Sequence, residues 1–178
     1  MTVIKIQPFM ADRANEVADL YHQSVHAIDT SIYTSEQQEV WASTPPDYLQ
    51  WSARLATKQP WLAMINNRVA GFIELDADGH IDCLYTHPSY QNQGVASALY
   101  EHLLATAKAR GFKRLYVEAS IVAKPFFERR GFIVTEENKL KRKGVTIINF
   151  TMGKGLIYKD LPACLRCVYS SIISLIIK

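Results

Sequence analysis

A chain of 178 residues that is 48% hydrophobic and 21% charged has the apolar content of one folded domain, which excludes disorder or a fibrous repeat as its main state. Its formal net charge of +3 is too mild to demand a nucleic-acid or membrane partner. The distribution is uneven: residues 1–107 carry 5 basic and 12 acidic side chains, residues 108–143 carry 11 and 4, and residues 144–178 carry 4 and 1. Such a split suits a site that takes a polyanion from one side and a cation from the other, and it equally describes two solvated faces.

In chain order, Val3 to Phe9 alternates as a strand closed by Pro8. Asp12 is placed to cap a helix whose apolar positions Val17, Leu20, Tyr21, Val25 and Ile28 recur at helical spacing. Thr34 to Trp51 reads as short helices broken at Thr44-Pro45-Pro46. Trp61–Ile65, Val69–Leu75 and Ile81–Thr86, separated by Asn66-Asn67 and Asp78-Gly79, have the signature of an antiparallel meander. After Gly94 a helical stripe runs through Val95, Leu99, Leu103 and Thr106 to a C-terminal cap at Gly111. Leu115–Glu118 then reads as a strand, which completes a crossover unit that favours parallel pairing with a right-handed connection. Pro125 to Arg130 is a short helix stopped by Gly131, and the last strands, Phe132–Glu136 and Val145–Met152, are joined by a charged turn at Lys139–Gly144. The expected fold class is α/β, with a mixed, mostly antiparallel sheet and one parallel crossover.

Cys83, Cys164 and Cys167 are odd in number and make no disulfide framework, so a reducing, cytoplasmic setting is expected. The opening MTVIKIQPF is strand-like rather than a signal peptide, and no run of ~18 apolar residues marks a membrane helix. His22, His26, His80, His87 and His102 lack ligand spacing, so no metal is expected.

The most informative segment is Gln91-Asn92-Gln93-Gly94-Val95-Ala96, between a strand and a helix start. A helix N-terminus presents unpaired N–H groups and positive dipole, Gly94 lets the backbone approach a bulky anion, and Ala96 keeps the first turn small. Six residues alone would equally describe an ordinary helix start. They are joined, however, by the lead-in Ile81 to Gln91, by Phe126-Phe127-Glu128-Arg129-Arg130-Gly131-Phe132, and by the ending Gly144 to Met152. Together, and in this order, these segments resemble the GCN5-related N-acetyltransferases over about Val3 to Gly153.

That resemblance implies a sheet with helices on both faces and acetyl-CoA as co-substrate. It implies that the backbone of Leu84, Tyr85 and Thr86 pairs with the pantetheine arm and that the amides of Gln91 to Ala96 hold the pyrophosphate, with the Ser97 hydroxyl as a helper. The strands around Leu84 and Val117 are expected to splay for the thioester, and the basic residues of 108–143 suit the nucleotide phosphates. Ser120 and Phe127 match further cofactor-side positions of the family. Many members place an Asn at the first and an acidic Tyr at the second, and Phe127 has no proton to donate. A thiolate leaves tolerably near its own pKa of ~8.5, and Tyr85, Tyr116 or water are substitutes for the missing acid.

An amine of pKa ~10 must lose a proton before it attacks. Glu74, flanked by Phe72, Ile73 and Leu75, is the first candidate base, with burial raising its pKa; Asp82 and Glu118 follow. His26, Tyr33 and Trp41 lie in the segment that lines the acceptor pocket in this family, where aromatics offer a face to a cation or a ring. The acidic first half favours a cationic acceptor: the primary amine of a small molecule or an amino terminus, attacking directly within a ternary complex. A non-catalytic acyl-CoA-binding module is the alternative that Phe127 raises. Nucleic acid is not expected, because the basic stretch lacks interleaved stacking aromatics. The resemblance assigns residues 1–153 to the acetyltransferase domain. In the tail, 154–178, Leu161, Leu165, Val168, Ile172 and Leu175 repeat as an amphipathic helix that docks on the body or on a second copy as a homodimer. Its polar face has too few cations for a membrane surface.

Overall fold

In the computed structural model, which describes residues 3–156, the expected mostly antiparallel sheet is divided in two, and the expected parallel pairing is a single bridge. Strands β1 (Lys5–Pro8), β2 (Trp61–Ile65), β3 (Arg68–Ile73) and β4 (Leu84–Thr86) form an antiparallel sheet in that order. Strands β5 (Arg114–Ser120), β6 (Ile133–Arg142) and β7 (Val145–Gly155) form a second, in the order β5-β7-β6 and again antiparallel. The helices are α1 (Ala14–His26), α2 (Ser35–Trp41), α3 (Tyr48–Lys58), α4 (Val95–Ala109) and α5 (Lys124–Glu128). The amphipathic repeat expected from Leu161 to Leu175, the Cys164 and Cys167 pair and most of the tail lie outside the described residues.

The first sheet is covered on both faces, so its central strands read as nearly unbroken apolar runs. Leu62 and Met64 face Val17, Leu20 and Leu55 of α1 and α3, while Ala63 and Ile65 face Val95, Leu99 and Leu103 of α4. A bulge opposite Ala63/Met64 interrupts the alternation in β3, so that Val69 and Phe72 share the α1–α3 face. Helix α4 closes with paired bonds, Gly111 N to Lys108 O and Phe112 N to Ala107 O at 3.0 Å each, the capping arrangement expected of that glycine.

Two local expectations change. Asp12 does not cap α1: a 3-10 turn, Ala11–Arg13, precedes the helix, whose N-cap is Arg13 without a side-chain bond. Arg13 instead ties Glu16 to the Asn67 turn, at 3.0 Å to each side chain. The charged turn shrinks to Lys143-Gly144, whose φ values of +48° and +85° suit a two-residue hairpin. Lys139 to Arg142 extend β6, an edge strand on which charges remain solvated.

Tyr33 links the halves. It is 1% exposed, donates to Ile148 O at 2.6 Å and accepts from Ile121 N at 3.0 Å. Tyr33→Phe leaves both backbone groups unsatisfied and is expected to lower unfolding free energy by ~1–3 kcal/mol, read from the urea midpoint; an unchanged midpoint would show that Tyr33 is only packing.

Candidate functional site

Among the described residues one isolated parallel bridge, His80 to Tyr116, joins the approach to β4 to the second sheet. Ile81 N donates to Tyr116 O at 2.8 Å and Tyr116 N to Gly79 O at 3.1 Å. Those bonds tie Ile81 to β5, while the pairing with β3 that defines β4 starts at Leu84 rather than Ile81. Beyond them β4 and β5 belong to different sheets, and a gap opens between the strands around Leu84 and Val117. On the other side of β4, Glu74 N bonds Cys83 O, His87 N bonds Ala70 O, and Tyr85 lies opposite Phe72. By the alternation of an antiparallel ladder, Leu84 and Thr86 turn their backbone groups to the gap and Tyr85 does not. Thr86 O accepts the Ser24 hydroxyl at 2.9 Å. Of the three residues expected to meet a cofactor arm, Leu84 and Thr86 have backbone groups that β3 does not use, and the Thr86 carbonyl is taken by Ser24.

At one end of this gap stands the start of α4. Gly94 is the N-cap with φ +86° and no side-chain bond to the first turn. Gln91 to Gly94 are exposed, Val95 is buried, and Ala96 and Ser97 are half-buried. The first-turn amides therefore lack a side-chain cap and face outward, as an anion requires. Arg130 donates to Ser97 Oγ at 2.7 Å and lies 3.5 Å from the Phe126 ring centroid. The basic stretch does not converge here as a block. Lys108 and Arg110 sit at the other end of the 15-residue α4, ~20 Å away at 1.5 Å per residue, and Lys139 to Lys143 lie at the β6–β7 hairpin.

On the α1–α3 side of β4 lies a pocket of about 640 Å³. Tyr21, Trp41, Trp51 and Tyr85 form its aromatic wall. Arg54, Asp82 and Cys83 line it from α3 and from the approach to β4, and Glu118 and Ser120 from β5. Arg142 and Asn149 reach it from the hairpin.

A chain of charges runs beneath and beside it. Arg54 Nη2 meets Glu74 Oε2 at 2.5 Å and Asp82 Oδ2 at 2.8 Å. Lys58 Nζ meets Asp82 and Asp76 at 2.7 Å each. His80 bonds Asp76 through Nδ1 at 3.3 Å and Glu118 Oε2 through Nε2 at 2.5 Å. Burial pushes the Glu74 carboxyl up although Arg54 opposes it. Burial also acts upward on Asp82, but Lys58 and Arg54 outweigh it and hold the carboxyl below its ordinary value. Burial, reinforced by Glu74, raises the Cys83 thiol, and burial keeps the Tyr85 and Tyr21 hydroxyls protonated well above their usual range. Two acidic groups, Glu74-Asp82-Cys83 and Asp76-His80-Asp82, have metal-ligand spacing within 4.8 Å; Arg54 and Lys58 are the cations they already hold.

The structure places the residues singled out for catalysis and acceptor binding differently. Tyr85, Trp41 and Ser120 line the pocket. Glu74 is 0% exposed and lies behind Arg54, not on the pocket lining. Tyr33 is the clip described above, and His26, bonded to Ala42 O at 2.7 Å, stands behind His22 and stacks on it at 4.2 Å. Phe127 is 1% exposed and packs on Phe126 and Phe132 in the core. Sequence reasoning passed over Tyr21, His22, Trp51, Arg54 and Arg142. The Trp51–Arg54 spacing was a usable signal, since residues three apart share a helix face.

Residues 29–154 match the family model described as an acetyltransferase (GNAT) domain. The chain is 33% identical over 152 residues to an uncharacterized N-acetyltransferase, YafP, of Escherichia coli, covering 85% of this chain and 96% of that one. It superposes on a GCN5-related N-acetyltransferase from Rhodopseudomonas palustris with a TM-score of 0.82 and 33% identity, over 88% of this chain and 98% of the other. A putative acetyltransferase from Salmonella typhimurium, solved with its cofactor acetyl-CoA, shares the fold at a TM-score of 0.67 and 16% identity, over 89% and 97% of the two chains.

Proposed function

The chain belongs to the GCN5-related N-acetyltransferases, acetyl-CoA-dependent acyltransferases, and from that premise we propose that it acetylates a primary amine, on a small molecule or an amino terminus, by direct attack within a ternary complex. One observation carries the reading: the pocket is lined from both sides of the gap, by Cys83 and Tyr85 before and on β4 and by Glu118 and Ser120 on β5. An acceptor in the pocket and a thioester in the gap would then meet between the strands.

The residues present fit acetyl-CoA. The open edge at Leu84 and Thr86 suits the pantetheine amides, and the uncapped turn from Gln91 to Ala96, with Ser97 and Arg130 beside it, suits the pyrophosphate. Bound there, acetyl-CoA supplies the activated acetyl group, and the acetyl-CoA seen in the Salmonella neighbour supports the same co-substrate here. Phe127 contributes packing behind that turn.

The base moves from Glu74 to Glu118. Glu74 has no exposed surface and its Oε2 is engaged by Arg54, so it positions the guanidinium. Glu118 lines the pocket; His80 holds its Oε2, and its other oxygen takes no hydrogen bond from a described residue. That oxygen accepts the ammonium proton, and His80 and Asp76 stabilise the arrangement behind it. Tyr85, kept protonated by burial, donates a hydrogen bond toward the departing thiolate, and the walls of the pocket supply orientation.

Gly94→Val tests the cradle. Its left-handed backbone costs a branched residue on the order of 1–2 kcal/mol, and the side chain would enter the anion space. Acetyl-CoA binding should be lost by calorimetry while the circular dichroism of the fold persists; undiminished affinity in the folded variant would contradict the assignment.

A further inference from the structure

The charges lining the pocket are not balanced alike. Each carboxylate there already has a partner: Asp47 accepts Gln50 N at 2.9 Å as the cap of α3, Asp82 holds Arg54 and Lys58, and Glu118 holds His80. The guanidinium groups are less occupied. The three partners of Arg54, namely Glu74, Asp82 and Cys83, all crowd onto Nη2, its Nε is buried without a hydrogen bond, and about a third of the side chain (34%) stays exposed. Arg142 is exposed, and its guanidinium makes no hydrogen bond or ion pair with any described residue. Both line the same pocket as Tyr21.

We infer that the acceptor carries an anionic group, a carboxylate in the simplest case, held by Arg142 and the open edge of Arg54 while its amine lies at Glu118; this rests on the acetyl-transfer reading above. An arginine fork matches a carboxylate with two parallel bonds, and the ligand's anion would supply the partner that Arg142 lacks. Register sets the separation. Glu118 pairs with Thr151, and Arg142 pairs with Val145, six residues earlier along β7, which is ~20 Å at 3.3 Å per residue. The arginine side chain reaches back over part of that distance, so amine and anion stand at opposite ends of the acceptor. The aromatic wall of Tyr21, Trp51 and Tyr85 takes an apolar or ring-bearing body between them. A pocket of about 640 Å³ holds a small molecule of this kind rather than an extended peptide.

The probes are 4-(aminomethyl)benzoate and its methyl ester, matched in ring and amine and differing in charge. The wild-type protein should favour the acid by about tenfold to a hundredfold in kcat/KM, the range for charge-assisted bonds, with the difference residing mainly in KM. Arg142→Gln should bring the acid-to-ester ratio close to one, and Arg142→Lys should restore part of it. Direct binding of both probes in the presence of CoA, by calorimetry, should show the same order. An ester bound or used as well as the acid, or a ratio untouched by Arg142→Gln, overturns the inference. Tighter binding of the acid with no acetylated product from either probe would keep the anion site and overturn the acetyl-transfer reading instead.

Discussion

Glu118→Gln should lower kcat by ~10²–10⁴, the usual cost of removing a general base, with acetyl-CoA affinity unchanged. The substitution keeps the shape and the contact with His80 but loses the basic oxygen. The deficit should shrink as pH rises toward the acceptor's own pKa, where the amine arrives deprotonated without help. Glu74→Gln is the matched control: it keeps a hydrogen-bond acceptor for Arg54 and should cost much less in kcat. CoA release against pH for the two variants separates the roles. Near-normal turnover in Glu118→Gln with a large loss in Glu74→Gln would return the base to Glu74.

Arg54→Met should be among the most destabilising single changes, because it strands the Glu74 carboxylate at 0% exposure beside Asp82. Removing one partner of a fully buried pair costs ~3–5 kcal/mol, and because about a third of Arg54 (34%) is exposed the expected loss is smaller, ~2–3 kcal/mol. The sign of the pH dependence follows from the two shifts. Glu74 titrates above its ordinary value in the folded protein because burial disfavours its charge. Loss of Arg54 raises it further, so the folded state is penalised increasingly as pH climbs through that value and relieved below it. Against its burial, Asp82 is held low by Lys58 and Arg54, which adds stability above its ordinary range that is lost on acidification; without Arg54 that contribution is smaller. Both effects make the deficit against wild type largest at neutral to alkaline pH and smaller toward acid. Urea unfolding at pH 5 and pH 8 checks it. Equal deficits at both values, or wild-type stability, would show that Glu74 does not depend on Arg54.

Local signals were the legible part of the fold. Asn66-Asn67, both with positive φ, mark a hairpin because few residues tolerate that backbone, and Gly94 marks the opening of α4 for the same reason. The stripe of Val95, Leu99 and Leu103 places α4 against the sheet. What stayed hidden is tertiary. Nothing in the run from Ile81 to Thr86 shows that its first residue is tied to Tyr116 while its last three part from β5. Glu74 reads as a poised base because a carboxylate among apolar neighbours is expected to be buried; that it faces an arginine 20 residues earlier is a fact of packing. The pocket gathers Tyr21 from α1, Trp51 and Arg54 from α3, Glu118 from β5 and Arg142 from β6, and no local pattern joins positions so far apart.

Initial rates of CoA release, with both acetyl-CoA and a primary amine varied and the amine product weighed by mass spectrometry, distinguish direct acetyl transfer from its alternatives. Direct transfer between two bound partners gives one CoA per acetylated amine and reciprocal plots that intersect. Tight acetyl-CoA binding with no acetylated product from any amine, or parallel plots reporting an acetyl-enzyme, would contradict it.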